Sequence, residues 1–465
     1  MHLLTELEAL EEVEQEYGLA CWKIDGCYVW KLLRWRLFTD HLIGHGVISF
    51  PHPKLLQSGR RKTRIEKKYK KIKLKCRKQL QNIRAKPTRQ IVVYSNNRLV
   101  SFNGQKVDRS CVRFLSLDHD RVVFIENPPK NGPKPRPHER ISSDVIIGDY
   151  KNPAPSSVAQ LNEDDRNLIA VLQRTLSGTE VTEGRLLQAI QEFERRKFAF
   201  RSFLLKRNVK YAFVVCGHNK EPFIEACREL SVPVTEIQHG IIGRGHTGYD
   251  FKNWDKVPYF SDRFLAFGRS WPKTCHFPKN VKIEVAGDWW LMKKREVSLA
   301  NIQRDPALLL VLSQATVSNL LREVVCEFLS VNTEYSVIWR PHPNEYPEEV
   351  EKFFRDSEFG HRLRLDSKTG LVEQACQSSV AIGVYTTALL EAIFCGCRGC
   401  VVEHEGGFHE FYRELIRDGK VNVVRRGRDL IEVVRAVGPT EIENYMSSKL
   451  VSDDPYFELQ SQLSQ

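Results

Sequence analysis

Short β-branched runs alternate with helical patterns along most of this chain, from Ile91 onward. The runs at 91–94 and 122–125 are apolar and four residues long. The pattern from Leu186 to Leu205, in contrast, repeats apolar residues every three or four positions. Alternation of this kind predicts a mainly parallel sheet with helices on both faces, which confines the chain to the α/β class.

The runs fall into two series, which meet near residue 285. Predicted strands of the first series lie at 91–94, 122–125, 145–147, 212–215, 234–237 and 264–267. Those of the second lie at 283–285, 308–312, 337–339, 363–365, 381–384, 400–402 and 421–424, with helices at 317–329, 387–394 and 408–415. We therefore expect two Rossmann-like domains facing a cleft, at 91–285 and 286–465.

Residues 1–90 form a different kind of region, for which we predict a helical extension. Apolar spacing predicts helices over 3–17 and 29–38 that pack on the body of the protein. Between Arg60 and Arg89 the chain holds fifteen Lys/Arg and one acid, Glu66, with less polar residues spaced by three and four. This amphipathic helix either lies on an anionic membrane or has a solvated face and packs on its own domain. The proline-rich 128–139 stretch predicts a surface loop.

Charge and cysteine use narrow the classes of partner. The net charge of +12 comes from that one basic segment, which argues against a broad nucleic-acid-binding face and for a local anionic partner. No apolar run approaches the roughly 18 residues of a membrane span, and the acidic N-terminal stretch does not read as a secretory signal, so we expect a cytoplasmic protein. Of twelve cysteines only Cys395, Cys397 and Cys400 are crowded, and without a second pair they predict reduced thiols rather than a metal site.

The first candidate site follows the predicted strand 234–237. The strand runs into Gln238, His239 and Gly240, and then into a glycine-containing loop with Arg244 and His246. Ligands of parallel α/β sheets bind at the carboxyl ends of the strands, and a histidine there can take a proton from an attacking hydroxyl. The alternative interpretation is a glycine turn with an incidental histidine.

Three strand ends of the second series carry polar residues suited to a phosphate. One strand ends in Arg340-Pro-His342-Pro, where flanking prolines fix the backbone around the histidine. The others are followed by Ser313-Gln314 and by Tyr385-Thr386-Thr387, with Glu391 one turn into the next helix. A helix N-terminus with free N–H groups and hydroxyls is an anion site, and Glu391 is placed to accept from sugar hydroxyls. The alternatives are a proline turn and an ordinary N-cap.

The order of these motifs resembles the GT-B glycosyltransferases of bacterial surface-polysaccharide synthesis (capsule and lipopolysaccharide O-antigen). The elements are strand-QHG, DRFLAFGRSW, strand-SQ, RPHPNE and GVYTTALLEA, over about residues 210 to 405. Capsule and O-antigen transferases that use CMP-activated ulosonic acids (Kdo or sialic acid) are the nearest relatives we can suggest, and CDP-polyol phosphotransferases of teichoic-acid synthesis share a similar layout.

The resemblance implies roles for the motif residues. The C-terminal half would bind the nucleotide through Ser313, Gln314, Arg340, His342, Tyr385, Thr386, Thr387 and Glu391. Gln238, Gly240, Arg244 and His246 would lie near the departing phosphate. His239 would act as the catalytic base or as an oxyanion partner, and a covalent carboxylate mechanism would instead need Glu236 or Asp250. The resemblance also implies no metal and no cofactor, and no Asp-x-Asp motif stands at the end of a predicted strand.

Three functions stay open at this stage. The first is transfer of a sugar from a nucleotide-activated donor, CMP-linked by the resemblance, onto a surface glycan or its lipid-linked precursor. The second is polyol-phosphate transfer from a CDP-linked donor. The third is nucleotide-sugar binding without catalysis. A lipid-linked acceptor would place the protein peripherally at the inner face of the plasma membrane, and no nucleic-acid partner is expected.

Overall fold

The computed structural model describes residues 2–47, 90–96, 98–102, 105–117, 119–126, 138–150, 160–342, 345, 347–436, 438 and 440–447. The predicted basic helix over 60–84 lies outside these residues, as does most of the predicted proline-rich loop. Neither prediction is tested.

The strands within the described residues are β1 Lys23–Ile24, β2 Cys27–Tyr28, β3 Ile91–Tyr94, β4 Leu99–Phe102, β5 Gln105–Asp108, β6 Val122–Ile125, β7 Glu139–Ile141, β8 Tyr211–Val215, β9 Val234–Ile237, β10 Arg263–Ala266, β11 Lys282–Val285, β12 Asp305–Leu312, β13 Ser336–Arg340, β14 Leu363–Leu365, β15 Ser378–Gly383, β16 Arg398–Val402 and β17 Val421–Val424. The α-helices are α1 Leu3–Glu16, α2 Val29–Gly44, α3 Ser143–Asp149, α4 Glu163–Thr175, α5 Glu183–Arg207, α6 Glu221–Glu229, α7 Trp289–Asn301, α8 Ser318–Val331, α9 Pro347–Asp356, α10 Leu371–Gln377, α11 Thr387–Phe394, α12 Arg413–Arg417 and α13 Leu430–Arg435.

The first sheet has the strand order β11-β10-β9-β8-β3-β6-β7 among the described residues, and all its pairings are parallel. Its interior strand β3 is apolar throughout because both of its faces are covered. Val92 packs in a cluster with Phe223 of α6, whereas Val93 packs on the opposite face with Phe114 of the 3₁₀ helix Arg109–Ser116.

The second sheet has the order β14-β13-β12-β15-β16-β17, again parallel in every described pairing. Its central strand β12 pairs Leu310 with Ile338 on one side and with Ala381 on the other, and all three side chains are fully buried. The two parallel sheets confirm the predicted α/β class, and the long helix predicted over 186–205 lies within α5.

Two of the predicted strands differ in the structure. Residues 145–147 lie in helix α3, because the hydroxyl of Ser142 caps this helix by accepting from Asp144 N (3.2 Å). The helix buries Ile146, so the short β-branched run gains its burial on a helix face instead. Residues 283–285, expected to open the second series, form the edge strand β11 of the first sheet, where Ile283 pairs with Phe264 of β10.

Helices α1 and α2 pack on the first half of the chain, as the apolar spacing predicts. A buried ion pair joins Glu14 of α1 to Arg34 of α2, and Arg34 Nη1 donates to the carbonyls of Thr247 (2.7 Å) and Asp250 (2.6 Å). The start of α1 also contacts the second half, where Leu3 N donates to Gly406 O at 3.0 Å. These helices therefore belong to the body of the protein.

Candidate active site

Each sheet has one point where successive strands are added in opposite directions. In the first sheet this point lies between β3 and β8, and in the second it lies between β12 and β15. Ligands of open α/β sheets bind outside the carboxyl ends of the strands at such points. We call these places the first and the second switch point. Ser313-Gln314 follows β12 and Tyr385 to Thr387 follow β15, so both predicted segments lie at the second switch point.

The structure brings Gln314 and Tyr385 together at the second switch point. Gln314 Oε1 accepts from Tyr385 N at 3.3 Å, and the hydroxyls of Tyr385 and Thr316 are hydrogen-bonded. Ser313 Oγ donates to Glu345 Oε1 at 2.8 Å, which ties the end of β12 to the segment after β13. The predicted polar strand ends are therefore one connected surface.

Helix α11 begins at this surface. Thr386 is its N-cap, with Oγ1 accepting from Ala388 N at 3.3 Å. Thr387 Oγ1 accepts from Ile241 N (3.4 Å), which belongs to the loop after β9 in the first half. A Cβ at Gly240 would lie 2.9 Å from that same hydroxyl oxygen, so a residue without a side chain lets the two halves meet here.

The predicted Arg340 ends β13 and the predicted His342 follows it, but the two residues are used differently. Arg340 Nη1 donates to Thr369 O (2.7 Å) and Gln374 Oε1 (2.8 Å), so it holds the start of α10. His342 N donates to Glu345 Oε2 at 2.6 Å. Partial burial lowers the pKa of His342 below 6.5, and the positive charge of Arg98 lowers it further. The nearby carboxylate of Glu345 raises this pKa, but by less than burial lowers it.

Arg98 is a site residue that the sequence reasoning missed. It stands just after β3, is exposed, and donates from Nη1 to the carbonyl oxygen of His239 at 2.6 Å. Its charge lowers the pKa of both His239 and His342, so this cation lies near both histidines. Its place after the buried strand β3 was the available signal, but no glycine or histidine motif marks it.

His239 rests on a hydrogen-bonded pair of buried groups. Tyr249 donates its hydroxyl hydrogen to Glu236 Oε1 (2.5 Å), and its oxygen lies 3.3 Å from His239 Nδ1. Because that oxygen is left to accept, the arrangement favours the His239 tautomer with its proton on Nδ1 and a basic Nε2. Desolvation lowers the pKa of His239 well below 6.5, with smaller contributions from His246, Arg98 and Lys220. The imidazole is therefore neutral at pH 7.

A layer of aromatic rings lies beside His239. The rings of His218 and His246 lie 5.7 Å and 6.4 Å from its ring, and His246 stacks on Trp35 of α2 at 4.4 Å. Burial lowers the pKa of His218 well below its usual value and that of His246 to about 4. Within the described residues His246 Nδ1 has no hydrogen-bond partner. The predicted His246 thus packs against Trp35.

The predicted carboxylate Glu236 lies inside the protein. It is fully buried at the end of β9, where it accepts from Tyr249 and from Gly217 N (2.7 Å). Burial raises its pKa. Gln238 is also fully buried; its amide donates to Gly240 O (2.8 Å) and accepts from Phe267 N (2.7 Å). Both side chains hold the strand end in place and expose no surface to a ligand.

Asp250 and Arg244 belong to the loop of His239, but they anchor this loop to helix α1. Asp250 is fully buried and bonds Arg244 Nη1 (2.6 Å) and His276 Nδ1 (2.9 Å). Arg244 also forms an ion pair with Glu11 of α1 at 2.5 Å. Glu11, Asp250 and His276 have the spacing of metal ligands among the described residues, but the guanidinium of Arg244 already contacts all three.

Glu391 is almost fully buried and engaged by a cation of the first half. Its Oε1 accepts from Arg109 Nη1 at 2.7 Å, and the same guanidinium is bonded to Asp288. Arg109 lies over the ring of Trp290 at 5.0 Å. The sequence prediction placed Glu391 correctly on α11 but not its partner, which stands 282 residues earlier.

The crowded cysteines Cys395, Cys397 and Cys400 are buried thiols. Burial raises the pKa of Cys397 and of Cys400 to about 12. In the part of the chain that the structure describes, they form no trio of metal ligands.

No protein-family model and no characterised protein sequence matches the chain. Solved structures with some likeness include MurG from Acinetobacter baumannii (11% identity, 74% of this chain, 88% of that chain, TM-score 0.41) and the UDP-GlcNAc 2-epimerase from Methanocaldococcus jannaschii (12%, 80%, 99%, 0.45). A third is CalG4, the calicheamicin glycosyltransferase (12%, 75%, 90%, 0.43). The fold described above rests on the strand pairings themselves. Among the described residues, every helix is too short or too polar to span a bilayer.

Proposed function

We propose that this protein is a GT-B glycosyltransferase that moves a sugar from a nucleotide-activated donor onto a hydroxyl of an acceptor. One observation carries the proposal: the loop of His239 meets the N-terminus of α11 through Gly240, Ile241 and Thr387. A neutral histidine on one sheet is thereby held beside an anion-binding helix end on the other. Transfer from a phosphate-activated donor needs both groups at one place.

In the proposed reaction, His239 Nε2 takes the proton of the acceptor hydroxyl. The acceptor oxygen forms a bond to the anomeric carbon, and the bond from that carbon to the donor phosphate breaks with its electron pair going to the nucleotide. The hydroxyls and free N–H groups at Thr386 and Thr387 and the guanidinium of Arg98 neutralise the leaving phosphate.

Glu236 acts through His239 in this scheme. Its carboxylate receives the hydrogen bond of Tyr249 and so fixes the imidazole tautomer, much as a buried carboxylate orients a catalytic histidine in a hydrolase triad. Asp250 is assigned a structural role because its oxygens are taken up by Arg244 and His276. The base is therefore His239 and not a carboxylate nucleophile.

The finer assignment extends the sequence resemblance. We infer a CMP-linked ulosonate donor and a surface glycan or lipid-linked precursor as acceptor, with the protein acting at the inner face of the plasma membrane. Ser313, Gln314 and Tyr385 are the proposed nucleotide contacts, because they surround the second switch point. His342 is the proposed phosphate contact from β13.

The test measures nucleotide release from CMP-Kdo, CMP-sialic acid, UDP-GlcNAc and CDP-glycerol, together with thermal shifts by the free nucleotides. A ligand at a hundredfold excess over its Kd stabilises the fold by about 2.7 kcal/mol, which gives a readable shift. CMP release from a CMP-sugar supports the proposal. CMP release from CDP-glycerol alone identifies a polyol-phosphate transferase, and nucleotide binding without release identifies a non-catalytic binder.

Variants locate the donor site in the same assay. His342→Ala and Thr387→Ala should each weaken nucleotide binding by about 1.5 to 3 kcal/mol, the usual cost of one hydrogen bond to a charged group. Glu296→Ala on α7 is the control, because its exposed carboxylate pairs only with exposed Lys293 in the described part of the chain. Unchanged affinity in both test variants would remove the donor site from the second half.

A further inference from the structure

A cavity of about 620 Å³ opens at the first switch point. Tyr94, Ser95 and Asn96 at the end of β3 form one wall, and Asn219 and Lys220 after β8 form another. Helices α3 and α5 close the remaining sides. The volume lies in the range of about 300 to 1,000 Å³ that holds small ligands, and the position is where an open parallel sheet binds them. None of the predicted site residues lines this cavity.

Two carboxylates, Asp144 and Glu192, and three cations, Arg195, Arg196 and Lys220, line the cavity, so its charges nearly balance. Glu192 of α5 is bonded to Arg195 at 2.7 Å and lies 4.0 Å from Arg196. The buried ammonium of Lys220 donates to the carbonyl oxygens of Val215 and Cys216. The lining has one cation more than it has carboxylates, and the ammonium of Lys220 is held by backbone carbonyls, so a ligand would meet mainly hydrogen-bonding groups.

Amide and guanidinium groups are the main hydrogen-bonding groups that the cavity offers to a ligand. Asn96 and Asn219 line opposite walls, and Arg196 Nε, also at the cavity, has no hydrogen-bond partner among the described residues. Such planar donors and acceptors suit hydroxyl groups, each of which can donate and accept at once. An anion would instead be repelled by the carboxylates of Asp144 and Glu192, which line the same cavity.

The cavity adjoins the proposed base through one short segment. Residues 217–219 form a 3₁₀ turn whose Asn219 faces the cavity, while the ring of His218 lies 5.7 Å from that of His239. The ring of His218 also contacts that of Tyr249 at 5.2 Å. The turn thus has the cavity on one side and the base on the other.

We propose that this cavity binds an uncharged, hydroxyl-rich sugar unit, which is the acceptor of the transfer reaction. The assignment of the sugar as acceptor rests on the proposed function; the binding of a neutral sugar at this place does not. The proposal names a substrate class and a site that the strand-end motifs leave unassigned.

A steric variant tests the site. Gly148 on α3 lines the cavity, is exposed, has an ordinary φ, and a Cβ there would meet no atom within 4 Å. Gly148→Trp should therefore fill the cavity while leaving the fold intact. Gly184→Trp on α5 is the matched control, because Gly184 is also exposed on a helix with an open Cβ position and does not line the cavity.

Binding is measured first without donor, by saturation-transfer NMR with the methyl glycosides of glucose, galactose, N-acetylglucosamine and glucuronic acid. A neutral glycoside should bind the wild type and Gly184→Trp, with at least a tenfold loss of affinity in Gly148→Trp. Asn219→Leu, which removes an exposed rim amide, should weaken binding severalfold and serves if Gly148→Trp does not fold. Equal binding to all variants, binding of the glucuronide alone, or no binding to the wild type overturns the proposal.

Donor turnover separates this result from the proposed function. Hydrolysis of a nucleotide-sugar in water needs no acceptor sugar, so Gly148→Trp should keep the wild-type rate of nucleotide release. Transfer to the neutral glycoside should fall at least tenfold in kcat/KM. Sugar binding without any donor turnover would contradict the proposed function but would still support the sugar site. If the enzyme transfers the sugar and Gly148→Trp does not change the rate of transfer, the proposed function stands and the proposed sugar site is wrong.

Discussion

The loop after β9 (238–250) and the loop after β15 (384–387) have similar signatures but use their polar groups differently. In the β9 loop Gln238 and Asp250 are fully buried and saturated with internal hydrogen bonds. In the β15 loop Tyr385, Thr386 and Thr387 are half-buried and line the meeting of the two halves. One loop uses its polar groups for stability, and the other keeps them within reach of a ligand.

Polar residues at the end of a strand can therefore serve either stability or ligand binding. In the β9 loop the partly exposed polar residues are His239, Arg244 and His246, but Arg244 is paired with carboxylates and His246 stacks on Trp35. The proposed function of this loop therefore depends on the side chain of His239. In the β15 loop the proposed binding is shared among several groups. Substitutions in the first loop should therefore damage folding or turnover strongly, and those in the second should reduce affinity in small steps.

The largest effect is expected from Asp250→Ala. Removing this carboxylate leaves the partly buried Arg244 with one carboxylate fewer, and breaking a buried pair costs about 3 to 5 kcal/mol. Urea unfolding measures the loss. Glu296→Ala, which breaks an exposed pair, should lose less than about 1 kcal/mol. If Asp250→Ala also loses less than about 1 kcal/mol, the ion pair between Asp250 and Arg244 does not stabilise the β9 loop.

His239→Ala should come next. A group that acts in the transition state lowers kcat more than it lowers affinity, so we expect about a hundredfold loss of kcat, or about 2.7 kcal/mol, with nucleotide Kd unchanged. His361→Ala, at an exposed position of the second half, should match the wild type in steady-state kinetics. If His239→Ala keeps full turnover, the β9 loop does not contribute the catalytic base.

Tyr249→Phe should have a smaller effect of the same kind. Without the hydroxyl the His239 proton loses its acceptor, and both tautomers become populated. We expect about a tenfold fall in kcat, or about 1.4 kcal/mol, with KM unchanged. Tyr259→Phe is the control, because its hydroxyl accepts from Tyr28 N (3.0 Å) away from His239. A change in KM alone would contradict the positioning role.

The smallest effect concerns pH. The base must be neutral to accept a proton, and desolvation with the nearby His246, Arg98 and Lys220 lowers the pKa of His239 well below 6.5. The profile of kcat/KM should therefore stay flat from pH 8 to 6.5, where an ordinary histidine would already have lost about half of its activity. Arg98→Gln should raise the pKa of His239 and shift the acid limb of the kcat/KM profile to higher pH. An acid limb centred at 6.5 in the wild type would contradict the assignment.

Much of the sheet structure was predictable because it depends on local pattern. The helix over 387–394 was placed correctly, since a buried strand, hydroxyls and an apolar run follow one another without interruption. The short run 145–147 was assigned wrongly to a strand. Three β-branched residues do not distinguish a strand from one turn of helix, and Ser142 as a cap decides for the helix.

The partners of the site residues could not be read from the sequence. Glu236 and Gln238 stand at the strand end that the motif marks, but they contact Tyr249 and Phe267, which lie 13 and 29 residues further along the chain. Arg109 reaches Glu391 across 282 residues. Sequence pattern reports local periodicity, whereas such pairings follow from how two sheets are placed in space.

The docking of α1 also sets an order of events during synthesis. Its ion pair with α2 needs only the first few dozen residues, but the partner of Leu3 N is Gly406 O, about 400 residues later. At about 5 to 20 residues per second the ribosome needs roughly 20 to 80 s to deliver that partner. For this interval the start of α1 lacks its hydrogen-bond partner, so this helix completes its packing only after the second half of the protein has been synthesised.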